Sequence, residues 1–239
     1  MMPQTNTDLS NVINLENVTF RWSPDAKPTL QIDQLAITQA EHTFIKGPSG
    51  CGKSTLLSLL TGINAAESGK VAVLDNDLTQ QSSRQRDRFR ADHIGYIFQQ
   101  FNLLPYLSVV ENVVLPCQFS AHRKSNIQGS LDATARHLLE RLHLPNELLN
   151  KPVIELSIGQ QQRVAAARAL IGEPKLIIAD EPTSALDFEN RTAFIELLME
   201  QATEAQSTLV FVSHDPTLEP LFKRSIQLQD INTAGERKC

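Results

Sequence analysis

The sequence lacks the features that mark secreted, disulfide-linked or membrane-spanning proteins. Its 239 residues contain only three cysteines, Cys51, Cys117 and Cys239, with no C-x-x-C pair and no zinc-ligand spacing. No apolar run approaches the roughly 18 residues that a spanning helix needs. Residues 1–11 are polar and lack the basic and apolar regions of a secretory signal. These absences argue against a disulfide framework, a structural metal and a membrane span, and they predict a soluble, cytoplasmic protein.

An excess of positive charge is also missing. The chain has 22 basic and 27 acidic residues, a formal net charge of −5. Because non-specific nucleic-acid binding depends on basic surfaces, this balance predicts no nucleic-acid partner. With 41% apolar and 21% charged residues, wholesale disorder is excluded and a single domain with a sizeable core is feasible.

Hydrophobic periodicity predicts an α/β fold. The predicted strands are 12–22, 35–45, 71–74, 94–98, 176–179 and 209–212. The predicted helices are 53–60, 158–170 and 191–205, with further helical spacing over 109–149 that Pro116 and the polar patch 120–130 interrupt. Strands alternate with helices at both ends of the chain, whereas the middle third is mostly helical. The pattern therefore indicates an α/β core with a helical insertion.

A glycine-rich loop lies between a predicted strand and the helix 53–60. It matches G-x-x-x-x-G-K-[ST] in full, through Gly47, Pro48, Ser49, Gly50, Cys51, Gly52, Lys53, Ser54 and Thr55. Glycines let backbone N–H groups converge on phosphates at the positive end of the helix. Lys53 can reach the β- and γ-phosphates, and the Ser54 hydroxyl can bind Mg²⁺. The loop indicates nucleotide binding, but kinases, GTPases, helicases and motor ATPases share it.

The buried strand 176–179 leads into two adjacent carboxylates, Asp180 and Glu181. Adjacent residues on a strand point to opposite faces, but at a strand end the chain turns and both can face one site. Asp180 would then hold Mg²⁺, and Glu181 would act as the general base toward water. Solvated carboxylates at a strand end are the alternative, and the upstream phosphate loop favours the site.

Further motifs identify a family. Leu156-Ser157-Ile158-Gly159-Gln160 precedes the helix residues Gln161-Gln162-Arg163, and the chain continues through Asp180-Glu181-Pro182, Ser184-Ala185-Leu186-Asp187 and His214. In this order they resemble the nucleotide-binding subunit of an ATP-binding cassette (ABC) transporter over 18–228. The resemblance implies a P-loop NTPase core with a mixed or parallel sheet, an N-terminal antiparallel β part and an inserted α-helical subdomain. It divides the single domain into a core of 12–78 and 160–228, a signature subdomain of 79–159, and tails 1–11 and 229–239.

The resemblance also implies the cofactors ATP and Mg²⁺ and assigns roles residue by residue. The catalytic residues that it implies are Glu181, His214 and Gln99. The metal ligands that it implies are Ser54, Gln99 and Asp180. Its nucleotide contacts are the phosphate loop, Trp22 against adenine, and Ser157, Gly159 and Gln160, which contact the nucleotide of an opposite subunit. Asp187 matches a loop that crosses the dimer interface. Ile158 departs from the family, which usually has glycine there.

Several of these positions have a competing interpretation. Gln100 could replace Gln99, and Trp22 could be a core or hairpin aromatic. The cluster Arg84, Arg86, Arg88 and Arg90 is better interpreted as a solvated helix face than as an anion site. Ser213, His214 and Asp215 are consecutive, so they cannot form a hydrolase triad.

The resemblance implies a head-to-tail homodimer that drives a separate membrane permease from the cytoplasmic face of the inner membrane. The segments 98–105 and 111–116 look like the subgroup that serves lipoprotein release, macrolide export and cell division. An amino-acid-importer subunit is the alternative within transport. A cassette ATPase acting on DNA or ribosomes is a second class, and a P-loop small-molecule kinase is a third.

Overall fold

The computed structural model describes residues 10–183 and 188–235, which form two β-sheets and a set of helices. The strands are β1 (Asn11–Phe20), β2 (Leu30–Thr38), β3 (Thr43–Lys46), β4 (Ser68–Val73), β5 (Asn76–Asp77), β6 (Ile94–Ile97), β7 (Leu176–Asp180), β8 (Thr208–Ser213) and β9 (Arg224–Gln227). The α-helices are α1 (Lys53–Leu60), α2 (Ser83–His93), α3 (Val109–Phe119), α4 (Ala121–Ser125), α5 (Leu131–Arg141), α6 (Ile158–Leu170), α7 (Phe188–Glu204) and α8 (Leu228–Ile231). This arrangement confirms the predicted α/β class.

The central sheet is parallel, with strand order β6-β7-β8-β3-β9. Both faces of β7 are covered: Ile177 packs into one hydrophobic cluster, and its neighbour Ile178 packs into the other. The wholly apolar runs predicted at 176–179 and 209–212 are therefore the buried strands β7 and β8. Because parallel strands end at one edge of a sheet, the segments after β3, β6, β7 and β8 converge there.

The second sheet is antiparallel, with strand order β2-β1-β4-β5. Helix α1 contributes Leu56, Leu57, Leu59 and Leu60 to the core that this sheet shares with the parallel sheet. The helix has the predicted bounds, and its burial fixes the glycine-rich loop that precedes it.

Serines cap the N-termini of α3 and α6. Ser108 begins α3 and Ser157 begins α6, each with a capping box in which its hydroxyl accepts from the residue three positions on. Helix α6 has the predicted bounds and ends before Gly172, whose φ of 72° is the conformation that such a stop requires. Within the described ranges, none of the helices is both long and apolar enough to cross a membrane.

Two predicted elements are wrong. The strand 35–45 is the end of β2 plus β3, which belong to different sheets, because the chain turns at Ala40 with a φ of 63°. Pro116 does not interrupt α3, which continues to Phe119. The neighbouring Val113 and Cys117 are buried in the core, and this packing offsets the hydrogen bond that a proline lacks.

The arginine cluster on α2 is only partly solvated. Arg86 donates from Nε to the Gly62 carbonyl at 3.0 Å, and Arg90 donates to the Thr61 carbonyl at 3.2 Å. These two arginines therefore satisfy carbonyls at the C-terminal end of α1, which a helix leaves without partners of its own. Arg84 and Arg88 are exposed, as expected of a solvated face.

Candidate functional site

A cavity of about 710 Å³ lies where the parallel strands end. Twelve of the residues predicted from the sequence line it. They are Trp22, Pro48, Ser49, Gly50, Gly52, Lys53, Ser54, Thr55, Gln99, Asp180, Glu181 and His214. Thr29, which the sequence did not suggest, is the thirteenth. The fold thus brings the loop after β3 together with the ends of β6, β7 and β8.

The glycine-rich loop is shaped by conformations that favour glycine. Gly52 has a φ of 102° at the position that caps α1, and a Cβ there would lie 2.8 Å from Leu30 Cδ2. A Cβ on Gly47 would lie 2.5 Å from the Cys51 sulfur. Gly52 therefore requires glycine because of its backbone conformation, and Cys51 points its thiol back toward Gly47.

Lys53 is buried at the cavity floor. Its ammonium donates to the carbonyls of Gly47 at 2.7 Å and Pro48 at 3.0 Å, and it lies 3.8 Å from Glu181 Oε1. The loop backbone thus holds the cation in place before any ligand arrives. A fixed positive charge beside the N-terminus of α1 suits an anion with several charged oxygens.

Asp180 and Glu181 both face the cavity, as predicted, although they are adjacent in sequence. The reason is local: β7 ends at Asp180, and Glu181 adopts a left-handed φ of 46°. The Glu181 N–H donates to the Val212 carbonyl of β8 at 2.8 Å, which fixes this turn. A non-glycine residue in this conformation is unusual, and it brings two carboxylates to one site.

Burial raises the pKa of Asp180 above its usual range, and the neighbouring Glu181 charge acts in the same direction. The Tyr96 hydroxyl, which lies 3.3 Å from Asp180 Oδ2, and the Lys53 ammonium oppose this rise. Burial also raises the pKa of Tyr96, so this phenol remains a donor. A buried carboxylate of this kind gains stability from an added cation.

Glu181 bridges two other site residues. Its Oε2 lies 2.9 Å from Nδ1 of His214, which follows β8, while its Oε1 faces Lys53. The carboxylate is thus fixed at both ends, and its position relative to the phosphate loop is set by two different strands. This geometry fits a group that orients and deprotonates a small molecule such as water.

Gln99 follows β6 and reaches the same cavity, whereas its alternative Gln100 does not line it. The loop beyond Gln99 is held by Arg168 of α6, which donates to the carbonyls of Phe101 and Asn102. Asn112 of α3 is fully buried and hydrogen-bonds the backbone at Leu104 as donor and acceptor. This loop is therefore hydrogen-bonded to both α3 and α6.

Trp22 lies at the cavity rim beyond the end of β1. The residue is 63% exposed, and its ring meets that of Phe20 edge-on, with centroids 5.1 Å apart. This arrangement does not match a core aromatic, because most of the ring is open to solvent beside the cavity. An open aromatic face at the rim suits a planar ring such as a nucleobase.

The signature residues Ser157, Gly159 and Gln160 do not line this cavity. Ser157 and Gln160 form the capping box of α6: the Ser157 N–H donates to Gln160 Oε1 at 2.9 Å. The Ile158 side chain is 52% exposed beside them. The N-terminus of α6 is thus exposed at Ser157 and Ile158, outside the cavity of its own chain.

One link joins the signature helix to the cavity. The buried Gln162 of α6 donates to the Pro182 carbonyl at 2.9 Å, just after Glu181. Asp187, expected at a subunit interface, lies outside the described residues, as does the rest of 184–187. Sequence reasoning missed Thr29 and Tyr96, because neither belongs to a local motif.

The comparisons with known proteins identify the family of this chain. A family model described as ABC transporter matches residues 30–184. LolD, a lipoprotein-releasing system ATP-binding protein of Shewanella sp. (strain MR-7), is 39% identical over 196 residues, which cover 82% of this chain and 83% of LolD. The ABC transporter ATP-binding protein YtrE of Bacillus subtilis (strain 168) is 37% identical over 207 residues, covering 85% and 86%. The chain belongs to the ABC transporter ATP-binding family.

A solved structure of another family member supports the fold. The ATP-binding cassette MJ0796, in a dimeric post-hydrolysis state bound to ADP and Pi, superposes with a TM-score of 0.78 at 34% identity. The match covers 90% of this chain and 93% of that cassette. The P-loop core with its antiparallel N-terminal sheet is therefore the ABC cassette fold, as the sequence predicted.

The donor set of this cassette fits Mg²⁺. Ser54, Gln99 and Asp180 offer a hydroxyl, an amide oxygen and a carboxylate, which are the oxygen ligands that this ion prefers. Among the described residues, no cluster of three or more His, Cys, Asp or Glu side chains could hold a metal alone. A donor set with a single carboxylate suits a Mg²⁺ ion whose other ligands include phosphate oxygens.

Replacing Trp22 by Ala should weaken ATP binding by about 1–3 kcal/mol, the range for loss of base–aromatic stacking. Replacing it by Tyr should retain most of the affinity, because an aromatic face remains. Isothermal titration calorimetry measures both. Tyr106→Ala is the matched control, since Tyr106 is 82% exposed and lies outside the cavity. Normal ATP binding by a folded Trp22→Ala variant would show that the Trp22 ring does not stack on adenine.

Proposed function

We propose that this subunit binds and hydrolyses Mg-ATP and uses the energy to drive a membrane permease. The observation that carries the proposal is the single cavity in which a buried lysine faces two carboxylates and a histidine. Donors for polyphosphate and groups that can orient water line the same cavity. Binding and hydrolysis of a nucleoside triphosphate need both sets of groups.

Each side chain has one role in the proposal. Lys53 and the N–H groups of the loop bind the β- and γ-phosphates, and Trp22 stacks on adenine. Ser54, Gln99 and Asp180 would hold Mg²⁺, which neutralises phosphate charge when bound. Glu181 accepts the proton of the attacking water, and His214 holds the Glu181 carboxylate in position.

The active unit is proposed to be a head-to-tail homodimer. The signature residues Ser157 and Gly159 do not line the cavity of their own chain, and the proposal assigns them to the cavity of a second copy. The exposed N-terminus of α6 would supply N–H donors to the γ-phosphate bound there. The dimeric state of the cassette MJ0796 supports this arrangement.

The proposed partner is a permease of the lipoprotein-release or export type, bound at the cytoplasmic face of the inner membrane. The relation to LolD favours this subgroup. An amino-acid importer is the runner-up. A cassette ATPase that acts on DNA or ribosomes is disfavoured by the acidic composition of the chain.

Purification from detergent-solubilised membranes tests both parts of this proposal. We expect Mg-dependent ATP hydrolysis and a co-purifying integral membrane protein with few spanning helices and a large extracytoplasmic domain. Recovery of ribosomes or nucleic acid instead would support the second class. Absence of ATP binding by the folded protein would refute the assignment of the cavity.

A further inference from the structure

Asn232, just after α8, joins three segments that are far apart in sequence. Its Nδ2 donates to the Cys51 carbonyl at 3.2 Å and to the Thr29 carbonyl at 3.1 Å. Its Oδ1 accepts from the Gln31 N–H at 2.9 Å. One side chain thus connects the phosphate loop, the start of β2 and the segment after α8. The predicted division of the domain places this segment in the C-terminal tail, 229–239.

The contact with Cys51 orients the next peptide group. The Cys51–Gly52 bond is trans, and in a trans peptide the C=O and N–H point in opposite directions in one plane. Asn232 holds the Cys51 carbonyl toward the side of the loop on which Asn232 lies. The Gly52 N–H must therefore point to the opposite side, where Gly52 borders the nucleotide cavity.

The two sides of the loop are distinct surfaces. A second cavity of about 440 Å³ lies behind the loop, and Asn232, Cys51 and Gln229 are among its lining residues. Neither Asn232 nor Cys51 lines the nucleotide cavity in front. Asn232 thus contacts only the back of the loop. Gly52 itself is close by, because a Cβ there would lie 3.6 Å from Asn232 Nδ2.

We propose that Asn232 is a positioning residue for nucleotide binding: by holding the Cys51 carbonyl, it aims the Gly52 N–H at the phosphates. Through the carbonyl of Thr29, a residue that lines both cavities, it also fixes the cavity wall next to the loop. The proposal rests on the proposed function, since it assumes that phosphates occupy the front cavity. It gives the C-terminal segment a role in ATP affinity that no local motif predicts.

Calorimetry of ATP binding to the full chain tests the proposal. Asn232→Ala and Asn232→Asp both remove the donor, and Asp retains the shape and the acceptor for Gln31. Both should weaken ATP binding about tenfold, the effect of one lost hydrogen bond. The KM for ATP should rise more than kcat falls. The Asp variant should remain weak in high salt, where repulsion between its charge and ATP is screened.

Thr233→Val is the matched control. Thr233 donates to the Gln31 carbonyl at 3.2 Å, so it ties the same segment to β2 without touching the phosphate loop. Its ATP affinity should stay within about twofold of the parent. In NMR spectra without nucleotide, the Gly52 amide resonance should move in Asn232→Ala and stay in place in Thr233→Val.

The possible outcomes separate this proposal from the proposed function. If the parent binds ATP and the Asn232 variants bind it equally well, the positioning role is overturned and the ATPase assignment stands. Equal weakening by Thr233→Val would also overturn it, because general loosening of the tail would then explain the effect. If the folded parent binds no ATP, both proposals fail. Should Asn232→Ala be unstable, the shape-preserving Asp variant decides.

Discussion

Replacing Lys53 by Ala should reduce ATP hydrolysis by at least about 10²-fold, the usual effect of losing one preorganised charge. The structure makes the loss severe, because the Lys53 ammonium lies 3.8 Å from Glu181 and its charge also acts on Asp180. Without it, two carboxylates would repel the polyphosphate. Steady-state phosphate release under saturating Mg-ATP measures the change.

Lys70→Ala is the control for this variant. Lys70 lies exposed on β4, outside the cavity, so its removal changes the net charge equally and should leave turnover unchanged. Lys53 also donates hydrogen bonds to two loop carbonyls, so its removal could disturb the fold. Circular dichroism of the variant checks that it is folded. Turnover near the parental rate in a folded Lys53→Ala protein would remove the phosphate loop from the proposed site.

The local sequence pattern predicts those helices and strands that have a clear periodicity or a wholly apolar run. The bounds of α1 and α6 follow from glycines and helical spacing, and β7 and β8 follow from wholly apolar runs. The boundary between β2 and β3 depends instead on which sheet each strand joins, which is a tertiary choice. Strand β9 escaped detection because it is an edge strand with one buried apolar residue, Ile226.

The site residues also fall into those that the sequence predicts and those that only the folded structure reveals. Residues in contiguous motifs, such as the phosphate loop and Asp180-Glu181, are predicted because their spacing reflects one local conformation. Tyr96 and Asn232 act through contacts across 84 and 181 residues, which no periodicity encodes. Both are set by strand order: Tyr96 lies on β6 beside β7, and Asn232 pairs with Ile32 of β2. Supporting residues therefore become visible only in the folded chain.

Replacing Glu181 by Gln should lower hydrolysis by about 10²–10⁴-fold, the range for loss of a general base, while ATP binding persists. Gln keeps the shape of the side chain and can still hydrogen-bond His214, but it accepts no proton from water. It also removes one negative charge near the phosphates. Single-turnover assays with ATP separate the chemical step from binding. A Glu181→Gln protein that hydrolyses ATP at the parental rate would assign the base elsewhere.

The same variant tests the shared site. Because unhydrolysed ATP would bind the phosphate loop of one chain and the signature of the other, light scattering should show a dimer with ATP and a monomer without nucleotide or with ADP. Adding Ser157→Arg should abolish the dimer, since a bulky side chain would block the N-terminus of α6. ATP binding to the single chain should survive, because Ser157 lies outside its own cavity.

Loss of a helix cap is the competing explanation for that result, and the chain offers a control for it. Ser82 begins α2 with the same capping box as Ser157, formed with Gln85 instead of Gln160. Ser82→Arg therefore incurs a similar capping cost of about 0.5–2 kcal/mol at a helix without a proposed nucleotide contact. In the Glu181→Gln background, Ser82→Arg should still dimerise with ATP. If both serine variants lose the dimer, capping alone accounts for it; if neither does, the signature does not contact the second nucleotide.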